Sequence, residues 1–546
     1  MWQTDLLKDI KDRRISGIIF ENECEPTHNL PEAIAAAKEA LQEALGEEWV
    51  TDDVTILIGY SRDQSPLPAQ YSHLVVMPAS TEEVAEVYRI ANEHLVDVIP
   101  MGTGLTTMAL HIPLYGGIMM DLRRMDRILE VDGENLYMVI QPGVNFLMAQ
   151  VEAQKRGCRV LNPSTAATAG VISNHGFCNI NTLASKYGFG IDNIIDVTMV
   201  LPDGTIIRTG AAGMGGVRVQ VPGPGPDMSS LFRYAYGMLG TVTEMTLRIY
   251  PEQEHSYQIF PAYEKDDLGV MIEVLYKVAN ENLCLELAHM QNSFYGIFMG
   301  ATNQEASRIT SLMPRNNMVT IFSGTTPEEA RLKADIIERE ILKVEPEFEF
   351  LPPEEMQTLV EGLRSVNLER WVKYFNVTVR VMRVRGSFLI GALIAHLDNF
   401  LQAEANMRVD TTNQIGHTDD ALPPDDASTY LQPYHMGRSA YMEYDVYTNQ
   451  GDKDDVMRTL LGYIRAMFGA MMRDGLIMAA GGLPLTKGMP LPLPGGFKID
   501  DLMPMVMPNT VVFVDTFSDF KEVVDPNNIA ARRWDYDTGL MKKLTL

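Results

Sequence analysis

The texture of this sequence changes at Pro251, and that change limits the folds open to it. Before Pro251, short apolar runs of strand length alternate with helix-forming runs and loops of small residues. After it, longer strand-like runs alternate with long helix-like runs. The first pattern predicts an α/β region, the second an α+β domain on an antiparallel sheet. With 546 residues, two large domains can each bury a core.

Charge and cysteine content remove several function classes. Lys+Arg 45 against Asp+Glu 72 gives a net charge of −27. A field of that sign repels phosphate backbones and anionic lipid, so neither nucleic acid nor a membrane surface is an expected partner. Cys24, Cys158, Cys178 and Cys284 lie far apart without a Cys-x-x-Cys pair. No disulfide framework and no metal site are expected from them. No apolar run reaches about 18 residues, so no membrane span is expected. Asp5, Lys8, Asp9 and Lys11 stand where a signal peptide needs an apolar core, which predicts a cytoplasmic protein. The 34 methionines read as adaptable core filler.

Residues 1–50 read as two helices, the second starting at Pro31. His73–Met77 is a short strand, and Ser80 with Glu83 forms a capping box for the next helix. Strands are expected at Val96–Pro100, Gly117–Leu122, Ile128–Val131 and Tyr137–Gln141. A helix over Phe146–Arg156 ends at Gly157. Asp192–Leu201 and Thr205–Thr209 form a hairpin, GAAGMGGVRVQVPGPGPD is a long connection, and Thr241–Tyr250 is a strand. Beyond Pro251, strands are expected at Tyr257–Phe260, Met318–Phe322, Val377–Val384, Tyr441–Tyr447 and Leu476–Ala480. Helices are expected at Asp267–Asn280, Pro327–Leu342 and Asp455–Arg473.

The segment Pro100-Met101-Gly102-Thr103-Gly104-Leu105-Thr106-Thr107 follows a strand and places small residues where a backbone can approach a phosphate. It is neither a Rossmann fingerprint, which needs a third glycine, nor a P-loop, which needs Gly-Lys-Ser/Thr. A pyrophosphate here would rest on backbone N–H groups and threonine hydroxyls. A tight structural turn would use the same residues.

Six stretches share one order. LVVMPASTEEVAEVYRIANEH, VIPMGTGLTT, GGIMMDLRRMDRILEVDGENLYMVIQPGV, NPSTAATAGVISNHG, YGFGIDNIIDVTMVLPDGTIIRTG and GMLGTVTEMTLRIYP follow one another. In that order they resemble the FAD-binding domain of the vanillyl-alcohol oxidase and para-cresol methylhydroxylase flavoprotein family. VDPNNI resembles that family's closing segment. The resemblance covers about residues 50–265, and more modestly 510–530. It implies an α+β, two-domain PCMH-type FAD-binding fold. Residues 1–255 would form N-terminal helices and the FAD-binding domain, 256–508 the substrate (cap) domain, and 509–546 a segment returning to the FAD domain. Pro100 and the Met101–Thr107 loop would cradle the pyrophosphate. Pro163, Ser164, Thr165, Ala169 and Gly170 would line a second FAD loop, with Asn174 near the flavin, and His175 within the same loop would either touch flavin or substrate or cap the loop by side-chain hydrogen bonds. Gly240, Thr241 and Val242 would meet the adenosine side through main-chain groups.

The sequence departs from the family in informative places. The His-x-Gly-Asp-Gly-Asn-x-His motif of relatives acting on glycolate or D-lactate is absent; the nearest text is Gln414–Asp419. Gly223–Asp227 resembles the phenol-oxidising branch. Yet Thr107 stands where that branch has a tyrosine, and Gly482–Lys487 where it has a Tyr-Arg pair. No histidine occurs in Met101–Thr107, so noncovalent FAD is expected, with His396, His417 and His435 the conceivable attachment points elsewhere.

In the second half, Tyr430–Tyr441 is the richest polar cluster. The reading adopted makes His435 a general base, Arg438 an anion clamp, and Tyr434 and Tyr441 hydrogen-bond donors. An exposed sheet edge with aromatic cross-strand pairs is the other reading. Period two from Tyr441 places Tyr441, Glu443, Asp445 and Tyr447 on one face. Arg380, Arg383 and Arg385 read as solvent-facing strand positions.

Together these readings predict an FAD-dependent oxidoreductase. It would take a hydride from a small, aromatic or hydroxylated substrate to the flavin, then pass electrons to oxygen or a protein acceptor. That acceptor would be a cytochrome, an electron-transfer flavoprotein or an iron–sulfur subunit. A D-2-hydroxy-acid dehydrogenase and an FAD-carrying electron-transfer subunit are the alternatives. A homo-oligomer is expected from relatives.

Overall fold

The structure, a computed structural model, describes residues 28–65, 69–106, 110–113, 115–163, 167–177, 181–219, 225–299, 302–352, 386–412, 428–449, 452–478 and 511–531. Helix α1 (Pro31–Leu45) has proline in its first turn and buries Ala37 and Leu41. Strand β1 (Val50–Thr51), helix α2 (Val54–Tyr60), strand β2 (Leu74–Val76), helix α3 (Thr81–His94), and strands β3 (Val98–Met101) and β4 (Ile118–Asp121) follow. These strands form a sheet in the order β1-β2-β4-β3, with β4 parallel to β2 and β3. Ser80 caps α3 as expected: its Oγ accepts from the Glu83 N–H at 3.1 Å. Glu83 reaches one residue further back than expected, accepting from the Ala79 N–H at 2.8 Å.

A second, antiparallel sheet takes β5 (Ile128–Asp132), β6 (Tyr137–Ile140), β8 (Ile194–Val200), β9 (Ile206–Arg208) and β10 (Thr241–Arg248) in the order β5-β6-β10-β8-β9. Between β6 and β8 run helix α4 (Phe146–Gln154), strand β7 (Cys158–Arg159), and the short helices α5 (Val171–Gly176) and α6 (Ala184–Tyr187). Gly157 takes φ +66, although α4 ends at Gln154. The expected unbroken connection after Thr209 is corrected. Helix α7 (Gly210–Gly215) forms there, because two alanines sustain one turn before Gly216 closes it in a left-handed conformation. Strand β11 (Tyr250–Pro251) pairs with β7.

The second half is built on one eight-stranded sheet. Its strands are β12 (His255–Tyr263), β13 (Glu286–Gln291), β14 (Asn316–Gly324), β15 (Glu349–Leu351), β16 (Gly386–Ala395), β17 (Ser428–Tyr434), β18 (Ser439–Asn449) and β19 (Ile477–Met478). Their order is β15-β12-β14-β13-β17-β18-β16-β19. Helices α8 (Leu268–Glu281), α11 (Pro327–Val344), α12 (Asn399–Thr412) and α13 (Lys453–Met472) contribute to the core on one face. Helices α9 (Asn292–Met299) and α10 (Asn303–Leu312), with α6, contribute to the core on the other. Strands β13, β16 and β17 are not among the expected strands. Buried on both faces, β13 lacks the alternation that marks a half-exposed strand. The expected strand Val377–Val384, with Arg380, Arg383 and Arg385, lies outside the described residues.

After helix α14 (Val511–Val524), the chain runs beside β3. Val98 N–H donates to Ile529 O at 2.8 Å, and Ala531 N–H donates to Val98 O at 3.0 Å. Among the described residues no helix is long and apolar enough to cross a membrane. No cluster of His, Cys, Asp and Glu among them is placed to hold a metal ion.

Candidate functional site

Where β3 ends, a cavity of about 120 Å³ is lined by Pro100, Gly102, Pro142, Ile172, Ser173, Gly176, Phe177, Tyr236, Gly237 and the segment 239–242. Two of the predicted loops meet here. A Cβ on Gly102 would lie 3.2 Å from Ser173 Oγ, and one on Gly170 would lie 3.3 Å from Thr103. Gly240 has φ +119, and a Cβ there would stand 2.1 Å from the Val200 carbonyl oxygen. Only glycine brings Thr241 and Val242 to the cavity wall at that spacing. The Thr241 hydroxyl is engaged with Tyr88 OH at 2.8 Å.

The N–H groups of Gly102, Thr103, Gly104 and Leu105 donate to no main-chain carbonyl among the described residues. Such unspent donors, with hydroxyls and without a cation, suit a pyrophosphate. The residues present therefore fit FAD. Thr107, Ser164 and Thr165 lie outside the described residues.

Helix α5 turns a different face to this cavity than expected. Ile172, Ser173 and Gly176 line it, whereas Asn174 and His175 do not. His175 is fully buried, with its ring 5.7 Å from that of Phe146 and a Cβ on Gly190 only 2.9 Å from its Cγ. His175 thus neither lines this cavity nor makes a loop-capping side-chain hydrogen bond among the described residues. The missed residues Ser173 and Phe177 follow Gly170 at helical spacing, a signal present in the sequence.

Both His175 ring nitrogens lack a hydrogen-bond partner among the described residues, and desolvation pushes the imidazole down to about 4. An unfolded histidine near 6.5 binds protons over a range where the folded one does not. Stability on this account is complete above about 6.5 and is lost as pH falls toward 4. His175→Leu is expected to flatten the fall in melting temperature between those pH values. An unchanged slope in thermal scans would contradict that origin.

The polar groups of the second half collect on the sheet face that meets residues 181–189. On β18, Tyr441 and Tyr447 join the core on this face, while Met442, Tyr444 and Val446 join the helix-covered core. The expected period of two is observed. Tyr441 OH donates to Glu443 Oε2 at 3.2 Å, and Tyr447 OH to Asp445 Oδ2 at 3.2 Å. Burial raises Glu443 to about 7 and Asp445 well above its ordinary value, the latter further raised by the neighbouring Glu443. Tyr430 stands opposite Glu443 across the ladder. Strand β18 lies between β17 and β16, so the exposed-edge reading is corrected.

The four residues read as catalytic do not stay together. Tyr434 and Tyr441 are buried on this face, with the Phe189 ring 4.1 Å and 6.1 Å from theirs. His435 and Arg438 lie on the exposed β17–β18 turn, where His435, Met436 and Gly437 all take positive φ. His435 Nε2 stands 3.4 Å from Asp192 Oδ2. The structure therefore does not bring His435 or Arg438 onto the tyrosine-and-acid face. His396 Nδ1 bonds the Arg438 carbonyl at 2.7 Å, and His417 lies outside the described residues.

Comparison with known proteins bears on the cavity and on the fold. Residues 72–210 match the family described as FAD binding domain. Glycolate oxidase subunit GlcD of Bacillus subtilis is 30% identical over 233 residues, which are 42% of this chain and 48% of that protein. A mitochondrial D-lactate dehydrogenase (cytochrome) of Arabidopsis thaliana is 30% identical over 188 residues, 34% of this chain and 31% of that protein. The chain thus spans half or less of these curated relatives. Substrate-bound p-cresol methylhydroxylase superposes with TM-score 0.78 at 17% identity, covering 93% of this chain and 98% of that one. 4-Ethylphenol oxidase from Gulosibacter chungangensis superposes with TM-score 0.75 at 16% identity, covering 92% and 96%. Residues 72–210 thus match an FAD-binding domain, on a chain with the fold of p-cresol methylhydroxylase.

Proposed function

We propose that this chain is an FAD-dependent oxidoreductase acting on a small, neutral phenolic or hydroxylated substrate at the face formed by β17 and β18. The bound flavin would supply the oxidising chemistry by accepting the hydride. The chain's own part is to orient the substrate and take its proton.

The observation that carries this reading is the acid pair. Burial and the neighbouring Glu443 raise Asp445 well above the ordinary carboxylate range, and Glu443, raised to about 7, is poised to accept a proton at neutral pH. Tyr441 and Tyr430 flank it as apolar walls with polar tips. Three buried acids, Glu286, Glu443 and Asp445, occur on this face. They disfavour a substrate carboxylate. This supports the substrate type named for p-cresol methylhydroxylase and 4-ethylphenol oxidase over that named for the glycolate and D-lactate relatives.

The test is a spectrum followed by a substrate panel. After reconstitution with FAD, the purified chain should show flavin absorption, and 4-alkylphenols should bleach it anaerobically. Bleaching by D-lactate or glycolate alone would replace the substrate class. No bleaching without a partner protein would favour an electron-transfer subunit. Absent flavin bands would sink the whole reading. Acid precipitation is expected to release all the FAD into the supernatant, and flavin left in the protein pellet would show covalent attachment.

A further inference from the structure

We propose that Glu286 and Gln432 form a latch by which the eight-stranded sheet positions the second FAD loop. The proposal rests on the FAD reading above. Glu286 on β13 is fully buried, and no ion pair to Lys or Arg is made by it among the described residues. Burying a carboxylate without a cation is costly, so the neutral donors it collects decide whether it is tolerated. Desolvation raises its pKa, and hydrogen bonds from Leu183, Gln432, Leu287 and Ser185 oppose that rise.

Two of those donors come from the other half of the chain. Leu183 N–H donates to Glu286 Oε2, and Ser185 Oγ donates to Oε1 at 3.2 Å. Gln432 Nε2 on β17 donates to Glu286 Oε1 at 2.7 Å and to the Asn181 carbonyl at 3.2 Å. Leu183 has φ +70, so this segment is bent toward the carboxylate in a conformation that leucine rarely takes.

The held segment joins both flanks of the second FAD loop. Thr182 N–H donates to the Asn162 carbonyl at 2.8 Å, and Asn162 immediately precedes Pro163. Four residues upstream of Asn181 the chain is at Phe177, which lines the cavity. The latch therefore holds Asn181 and Thr182, and through Thr182 it holds Asn162, which begins the approach to the second FAD loop. Glu286 and Gln432 are positioning residues that act on the cofactor through this stretch.

The test compares FAD release with stability in the full chain. Glu286→Ala is expected to raise the FAD dissociation rate, followed by flavin fluorescence, tenfold or more. Glu286→Gln retains an oxygen for three donors but turns an amide N–H₂ toward Leu183 N–H, so its effect should be intermediate. Gln432→Ala should raise the rate at least threefold. Thr320→Val removes a buried hydrogen bond of 2.8 Å to the Ile259 carbonyl in the same sheet, and should lower melting temperature without changing FAD release. FAD release within twofold of wild type in Glu286→Gln and Gln432→Ala, with only a lower melting temperature, overturns the latch. Wild-type chain that takes up no FAD overturns the cofactor reading, and the latch with it. If Glu286→Ala does not fold, the other two variants decide.

Discussion

The Gly102→Leu chain is expected to purify folded but with less than a tenth of the wild-type flavin content. Gly102 lies on the cavity wall, where even a Cβ meets Ser173 Oγ at 3.2 Å and the Pro142 carbonyl at 3.5 Å. A leucine there must send its branched end into a cavity of about 120 Å³. Gly102 does not have positive φ, so the backbone itself accepts the side chain without strain. The measurement is the flavin-to-protein absorbance ratio together with a circular dichroism melt. Tenfold weaker binding corresponds to about 1.4 kcal/mol, a modest demand on one steric clash. Full flavin content in a folded variant would place the dinucleotide elsewhere.

Glu443→Gln is the second large effect. A positioned proton acceptor contributes about 10²–10⁴-fold, so flavin reduction by substrate should slow by at least a hundredfold. The variant should also lose a rise in rate with pH centred near 7, the value to which burial raises Glu443. Its effect on stability has the opposite sign. A carboxyl raised in the folded state binds its proton there more tightly than in the unfolded chain. Stability on its account is therefore present at low pH and is lost as pH rises from about 4.5 through about 7. Glutamine carries no such loss, so Glu443→Gln should melt higher than wild type at pH 8, with the difference shrinking at pH 5. A slow variant that is also less stable at pH 8 would show that Glu443 is a structural acid.

Much of the first half was legible because its signals are local. A serine before a helix caps it through a bond to the residue three positions on, and Ser80 does so. The strand-to-loop junction at Pro100–Met101 is set by apolar residues followed by glycines, and β3 ends at Met101. The face shared by Tyr441, Glu443, Asp445 and Tyr447 followed from the pleat, which alternates side chains whatever the neighbours are.

His435 and Tyr434 show where such reasoning stops. They are adjacent in sequence, yet one belongs to the buried face and the other to an exposed turn. The hairpin's positive-φ residues make that division, and no periodicity announces it. Helix α5 poses the same problem at shorter range. His175 offered the more reactive side chain, but rotation about the helix axis turned Ser173 to the cavity instead.

By itself, the sequence determined many of the helices and strands of the first half, where α3 is capped, and that small residues follow β3. Only the tertiary structure decided that Glu286 meets Leu183, more than 100 positions away. It alone placed β18 between β17 and β16, which buries Glu443 and Asp445 together. The physical reason is that capping, turns and pleating depend on neighbours along the chain. Burial, which sets the proton affinity of an acid, depends on which distant strands close over it.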